Sequence, residues 1–581
     1  MRLFPIFLLL VTAVSVAQQP SSVAERVAAQ NALFDEQYET DLRNFPERAT
    51  AFGDYRYNDK LGDYSREAIQ RRHQTDEEFL ARLKAISTAG FSDQDQLSHD
   101  LLMRVLQQRI TDFQFKEFEM PINQQSGVHT NLADLPLSVP LDSVKHYEDY
   151  IARLHQIPRV MGQVTELLRV GMKDNLMPVR FLAEKIPAQC EGIIAADPFL
   201  QPTKKYPSSI SPDDQARLTR EMVDAVVTDV LPAYKKFADF IRTDYAPHGR
   251  TVLSITSLPD GQKRYENDIY ARTTTHMAAE EIHQLGLHEI DRIEAEMLAI
   301  AKKEGFSDLE SFRASLKNNP KYIPTSADQI LEDYRHYISQ MQAKLPDLFT
   351  LLPKSPVTVE AIPEFQAAAA THYVTGTPDG KRPGRVVVAT SDFAHRSLVD
   401  DEAIAYHEGV PGHHMQLSVQ QQLQGLPKFR LHGLGFNAYV EGWALYSEQL
   451  GKEVGFYQDP VSDYGRLSSE LFRAVRLVVD TGIHAKGWSR DQVVEFFRKS
   501  GAVDEPTIQS ETDRYISWPA QALSYKLGQL KIRELRDRAQ KELGPKFDIR
   551  KFHDEILDGG SLPLDMLEAR TDRWIAEQKE K

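Results

Sequence analysis

His407-Glu408 and, beyond a Gly409-Val410-Pro411-Gly412 break, His413-His414 crowd imidazoles and a carboxylate into eight positions. That is the raw material of a metal-hydrolase site. Zinc takes nitrogen ligands together with a carboxylate, and hydrolysis there needs a neighbouring base to take a proton from water. Glu408 is the candidate base. The spacing departs from the usual pattern, in which two histidines stand at i and i+4 on one helix face with Glu beside the first. Four residues after His407 stands Pro411, which has no ligand atom. His413, at i+6, is about 120° round an ideal helix from His407, whereas His414, at i+7, regains the face about 10.5 Å further along the axis. One straight helix therefore brings neither to an ion beside His407. Pro411 removes a helix hydrogen bond and clashes with the preceding turn, and Gly409 and Gly412 flank it. A two-residue bulge there sets His413 where an i+4 ligand belongs. The choice between His413 and His414 stays open at this level, and the expected cofactor is one Zn2+ ion.

The elements that must position these residues read mainly as helix. Thr75-x-x-Glu78 has the form of a capping box, as do Ser307-x-x-Glu310 and Ser326-x-x-Gln329. Residues 142–172, 216–241 and 277–304 carry apolar residues at a 3.6 period, with a break near Pro158, a kink at Pro232 and a C-cap at Gly305. Pro-rich stretches at 196–212 and 352–363 read as connectors. The texture then turns to β. His372–Thr375 and Arg385–Thr390 flank Asp379-Gly380, so a short hairpin or small sheet is expected immediately before the metal helix.

With 581 residues, two or more lobes are expected. The division expected is a signal peptide at 1–17, an N-terminal helical lobe at 18–265 and a catalytic lobe at 266–581. Hydrophobic content of 41% and charged content of 26% suit a soluble globular protein. The net charge is −15, or −16 once Arg2 leaves with the signal, and basic patches interleaved with aromatics are absent, so nucleic acid is not an expected partner. Arg2, the apolar run Leu3–Val16 and Ser15-Val16-Ala17 read as a cleaved export signal, so a periplasmic or secreted protein without a membrane anchor is expected. The single cysteine, Cys190, excludes an intramolecular disulfide and reads as a buried structural thiol.

HEGVPGHHMQ resembles the signature of the domain-of-unknown-function family 885, a group of candidate metallopeptidases. DGKRPGRVVV, EGWALYSEQLG, VDTGIHAKGWSRDQ and AQALSYKLG look like the same family, and they occur in order over residues 265–535. More distantly, the site is similar to thimet-type oligopeptidases and thermophile-type zinc carboxypeptidases, which are two-lobed helical gluzincins. Their HExGH lines up with His407-Glu408 and Gly412-His413 if two residues are inserted, and their later ligand carboxylate with Glu441. The resemblance implies a two-lobed helical fold around a deep cleft, zinc held by His407, His413 and Glu441, Glu408 acting as general base on zinc-bound water, and short peptides as substrates. Glu441 lies 28 positions after His413 beside Trp443, Ala444 and Leu445, and a buried carboxylate must be paired or bound to metal. Glu448, at i+7 from Glu441, suits a hydrogen bond to a ligand histidine. By resemblance to gluzincins that put Tyr or His at the oxyanion, Tyr525 and His484 are favoured as donors, with Tyr515 the substitute for Tyr525. Arg514 and Lys526 are candidates for a substrate carboxylate. An edge strand of the hairpin suits substrate binding as an added strand.

Other signals carry less. GLGFNA at 433–438 lacks the βαβ context of a phosphate loop. His283 and His288 are five apart, which is wrong for one helix face. The rival readings are a non-catalytic peptide-binding protein on a peptidase scaffold, and a metal-dependent hydrolase of other amides or esters.

Overall fold

Several helices begin where a short polar side chain caps them. Ser65, Ser92, Ser143, Ser211, Ser326, Ser489 and Asp504 each accept a hydrogen bond from a backbone N–H in the first turn that follows. The computed structural model describes residues 22–317, 319–363 and 370–580, so the expected signal segment lies outside the described residues. The chain is mainly α-helical with one small sheet. Among the described residues no helix is long and apolar enough to cross a membrane.

The 3.6 period placed the long helices well: Val144–Leu154, Ile157–Lys173, Pro212–Ala225, Leu231–Phe240 and α1 (Ala279–Lys303). A wide helical turn, Val226–Val230, precedes Leu231–Phe240 and absorbs the backbone bond that Pro232 cannot make. Two capping expectations are corrected. Thr75 lies inside the helix Arg66–Lys84, where its hydroxyl donates to the Arg71 carbonyl at 2.8 Å. Asp308 rather than Ser307 receives the Ser311 N–H, at 2.7 Å.

The sheet holds three strands in the order β1 (Val357–Ala361), β3 (Gly384–Val388), β2 (His372–Val374). β2 and β3 form the expected antiparallel pair, with Tyr373 opposite Val386, and Gly380 turns at φ +72° between them. β1 pairs parallel to β3, where the sequence read only a connector. β2 is therefore an edge strand.

The largest buried cluster joins Leu33–Leu106 of the N-terminal helices to residues 330–575, and a second gathers residues 61–246. Apolar packing thus crosses the expected division at 265/266. Around the histidines stand α2 (Ala327–Gln342), α3 (Asp401–Glu408), α4 (His413–Gln422), α5 (Asn437–Glu453), α6 (Pro460–His484), α7 (Glu505–Ser517) and α8 (Ser524–Leu543). α6 packs on α1 and α3, and α5 packs on α8. The last contact is backbone to backbone. A Cβ on Gly442 would meet Gly528 at 2.4 Å, and one on Gly528 would meet the Ala438 carbonyl oxygen at 1.8 Å. This draws the Tyr525 end of α8 close to the Glu441 turn of α5.

Candidate metal centre

α3 stops at Glu408 and α4 starts at His413, so the helix is interrupted between the histidines, where Gly409, Pro411 and Gly412 stand. The Gly412 N–H turns back to the Tyr406 carbonyl at 3.0 Å, and the His414 N–H reaches the Gly409 carbonyl at 3.1 Å. Gly412 sits so close to the preceding turn that a Cβ there would fall 2.0 Å from the His407 carbonyl oxygen. Fully buried Trp443 donates its indole N–H to the Pro411 carbonyl at 2.9 Å and fastens the bulge to α5.

The bend turns the imidazoles of His407 and His413 toward each other, with centroids 4.9 Å apart and planes at 89°. Nε2 of His413 lies 3.4 Å from Oε2 of Glu441, and Nε2 of His407 lies 3.9 Å from the same oxygen. On its far side, His407 uses Nδ1 in a 2.8 Å hydrogen bond to Oε1 of Glu448. These separations suit a metal. Two ligands at about 2.0–2.1 Å from a tetrahedral ion stand roughly 3.4 Å apart. The donor set, two imidazole nitrogens and a carboxylate oxygen, is one that zinc takes.

Two carboxylates compete for the third place, because His407, Glu408 and His413 also offer donor atoms within 4.8 Å of one another. Their electrostatics separate them. Burial works to raise the Glu441 carboxyl, but His413, His407 and Arg514 outweigh it and hold it at about 2. Burial pushes Glu408 up to about 7, against the opposing pull of His413, Arg473 and the Tyr373 backbone N–H of edge strand β2. Two carboxyls driven apart in this way divide into a fixed charge and a proton carrier. Glu441 is the ligand candidate and Glu408 the base candidate.

His414 turns away. Its Nδ1 meets the Tyr373 hydroxyl at 3.1 Å and its Nε2 the Ser355 carbonyl at 3.1 Å, so it ties the sheet to α4. The expectation for His484 is corrected. Its Nδ1 accepts from the Ile255 N–H at 3.1 Å and its Nε2 donates to the Tyr515 carbonyl at 2.9 Å, which leaves no donor for a substrate. Burial lowers its pKa to about 3. Tyr515 is fully buried against Arg476 and Glu511. The Tyr525 hydroxyl accepts from Arg514 Nη2 at 3.3 Å, and the charge of Arg514 in turn acts on Glu441. Lys526 is spent in ion pairs with Glu470 at 2.6 Å and Glu289 at 2.9 Å. His283 bonds Thr481, His288 is exposed, and Cys190 is a buried free thiol pushed up to about 12 by burial. The sequence reading missed Tyr373, Arg473 and Arg476. The arginines were legible as two charges inside the apolar run of α6, LFRAVRLVV, which must be answered by a partner. A cavity of about 290 Å³ lined by Asp41, His73, Asp76, Arg109 and Glu117 lies among the N-terminal helices, and none of its lining residues belongs to the cluster.

The model of the family described as bacterial protein of unknown function, DUF885, matches residues 46–570. The chain belongs to this family. The DUF885 chain is also similar to solved structures. One, a candidate lipoprotein from Colwellia psychrerythraea, is 26% identical with a TM-score of 0.88, over 96% of this chain and 100% of that one. Another, a candidate lipoprotein of unknown function from Shewanella oneidensis, is 19% identical with a TM-score of 0.69, over 95% and 99%. The second likeness is one of fold. No curated protein matches the DUF885 chain.

Proposed function

We propose that this DUF885 chain is an exported metallopeptidase that holds one zinc ion through His407, His413 and Glu441 and hydrolyses short peptides. The observation that carries the reading is the shared approach of two imidazole Nε2 atoms to one carboxylate oxygen, at 3.4 and 3.9 Å, with Glu408 beside them. When bound, zinc supplies Lewis acidity toward the scissile carbonyl and toward water. The chain's own residues do the rest. Glu408, with its carboxyl near 7, takes the proton of the attacking water at its carboxylate and returns it to the departing amine. Tyr525 offers a hydroxyl to the developing oxyanion, aligned by Arg514. Glu448 holds His407 in the tautomer protonated at Nδ1. β2, an edge strand among the described residues, suits a substrate backbone lying alongside. Export rests on the signal-like residues 1–17 and on the description of the Colwellia protein as a candidate lipoprotein.

A mixed library of quenched fluorescent peptides, with matched amide and ester probes, tests the reading. Peptide cleavage that a chelator stops and zinc restores supports it. Peptide binding with no turnover, or hydrolysis confined to the other amides and esters, overturns it.

A further inference from the structure

α6 carries Arg473 and Arg476 one turn apart, and α7 carries Arg514. All three lie within electrostatic reach of the cluster: the charge of Arg473 acts on His407, Glu408 and His413, that of Arg476 on His407, and that of Arg514 on Glu441. Arg476 stacks its guanidinium 4.1 Å from the Phe472 ring and 4.5 Å from the Tyr525 ring. A single carboxylate, Glu511, pairs with both Arg476 at 3.0 Å and Arg514 at 3.1 Å. Arg473 bonds only to Ser469, at 2.7 Å to its hydroxyl and 3.2 Å to its carbonyl, and pairs with no carboxylate within 4 Å among the described residues. Nε of Arg473 and Nη1 of Arg476 are buried without an acceptor among the described residues. Arg514 Nη2 reaches the Tyr525 hydroxyl and Gln521. The side chains of Arg514, Glu441, Glu511 and His413 keep 17, 18, 13 and 11% exposure, the residual openings in the set.

The bland account is that these arginines only balance the acids of the centre. Arg473 weakens it, because no carboxylate lies within 4 Å of its guanidinium among the described residues. Buried donors without acceptors are costly, and a chain keeps them where a ligand completes the set. Guanidinium forks match a carboxylate.

We infer that Arg473, Arg476 and Arg514, with the Tyr525 hydroxyl, form a subsite that binds a carboxylate of the substrate beside the scissile bond. The inference rests on the metallopeptidase reading for the scissile bond beside the subsite. Its consequence is end recognition. Every peptide carries one α-carboxylate, so the subsite makes the enzyme cut near the C-terminus, and an acidic side chain is the other source of the same chemistry.

The test uses N-acetylated tetrapeptides in three forms: free acid, C-terminal amide, and amide with a Glu side chain in the last position. In wild-type holoenzyme the free acid should exceed the plain amide by roughly tenfold or more in kcat/KM, chiefly through KM. R473Q and R514Q should erase that preference at unchanged zinc content. If the Glu-bearing amide matches the free acid, the subsite stands and takes either carboxylate. Direct calorimetric binding of the same probes to zinc-loaded E408Q protein separates this inference from the catalytic reading. A preference for the acid without turnover in wild type leaves the subsite standing and removes the peptidase. Equal binding of acid and plain amide, or equal cleavage of the two, overturns the subsite.

Discussion

Nδ1 of His407 and Oε1 of Glu448 lie 2.8 Å apart with both side chains buried. The carboxylate accepts a hydrogen bond from Nδ1–H and leaves the Nε2 lone pair facing Glu441. This hydrogen bond, rather than the bend alone, decides which nitrogen of His407 can hold an ion. Replacing Glu448 with Ala should weaken zinc affinity by about 10–100-fold, while Gln, which keeps an acceptor oxygen, should cost less. Competition with a fluorescent zinc chelator measures both. Equal affinity in wild type and E448A would show that the pair only packs.

Glu408 should be separable from the ligands. E408Q keeps the shape and hydrogen-bonding reach of the side chain but cannot accept the water proton. Turnover should fall by roughly 10²-fold or more with zinc content unchanged. Steady-state kinetics and metal analysis on one sample read both quantities. Turnover at the wild-type rate in E408Q would remove the proposed base.

Gly412 is required by space. Its substituent would strike two backbone oxygens, of His407 at 2.0 Å and of Tyr406 at 2.4 Å, and neither can swing aside. G412A should destabilise the chain by about 1–3 kcal/mol and loosen zinc in the same protein. G435A, whose position has nothing within 4 Å, serves as the control and should leave both unchanged. Urea unfolding with zinc titration decides it. A G412A protein as stable and as tight as G435A would mean that the bulge has another cause.

Asp480 gives a pH signature. Burial pushes its carboxyl up to about 7, only partly offset by hydrogen bonds from the Tyr265 hydroxyl at 2.7 Å and the Ala520 N–H. The folded state therefore keeps a proton that the unfolded chain has released between its ordinary value of 3.8 and about 7. Stability from this group falls as pH rises through that window, and the penalty is complete above it. D480N removes the penalty, so the variant should gain on wild type by on the order of a few kcal/mol between pH 4 and pH 8. Urea midpoints across that range measure it. A difference between the two proteins that does not vary with pH would contradict the shift.

The sequence reading succeeded where one residue type has one physical meaning. Gly409, Pro411 and Gly412 cannot continue a helix, so a bend between the histidines was legible, as was the hairpin turn at Asp379-Gly380. The period of apolar residues placed α1 to within two residues at its start and one at its end. β1, Val-Thr-Val-Glu-Ala, does alternate apolar and polar residues, but it was missed because Pro353, Pro356 and Pro363 flank it and the stretch read as a connector. His484 was misjudged because a histidine spaced like a catalytic donor looks the same when both its nitrogens meet backbone groups. The choice of His413 over His414 needed coordinates, since only these show His414 bonded to Tyr373 and Ser355.

Diffraction from zinc-loaded crystals on either side of the zinc absorption edge tests the central claim most directly. A single anomalous peak about 2.0–2.2 Å from Nε2 of His407, Nε2 of His413 and a carboxylate oxygen of Glu441 is the predicted result. A peak that omits any of these three, or none at all in zinc-saturated protein, would contradict it.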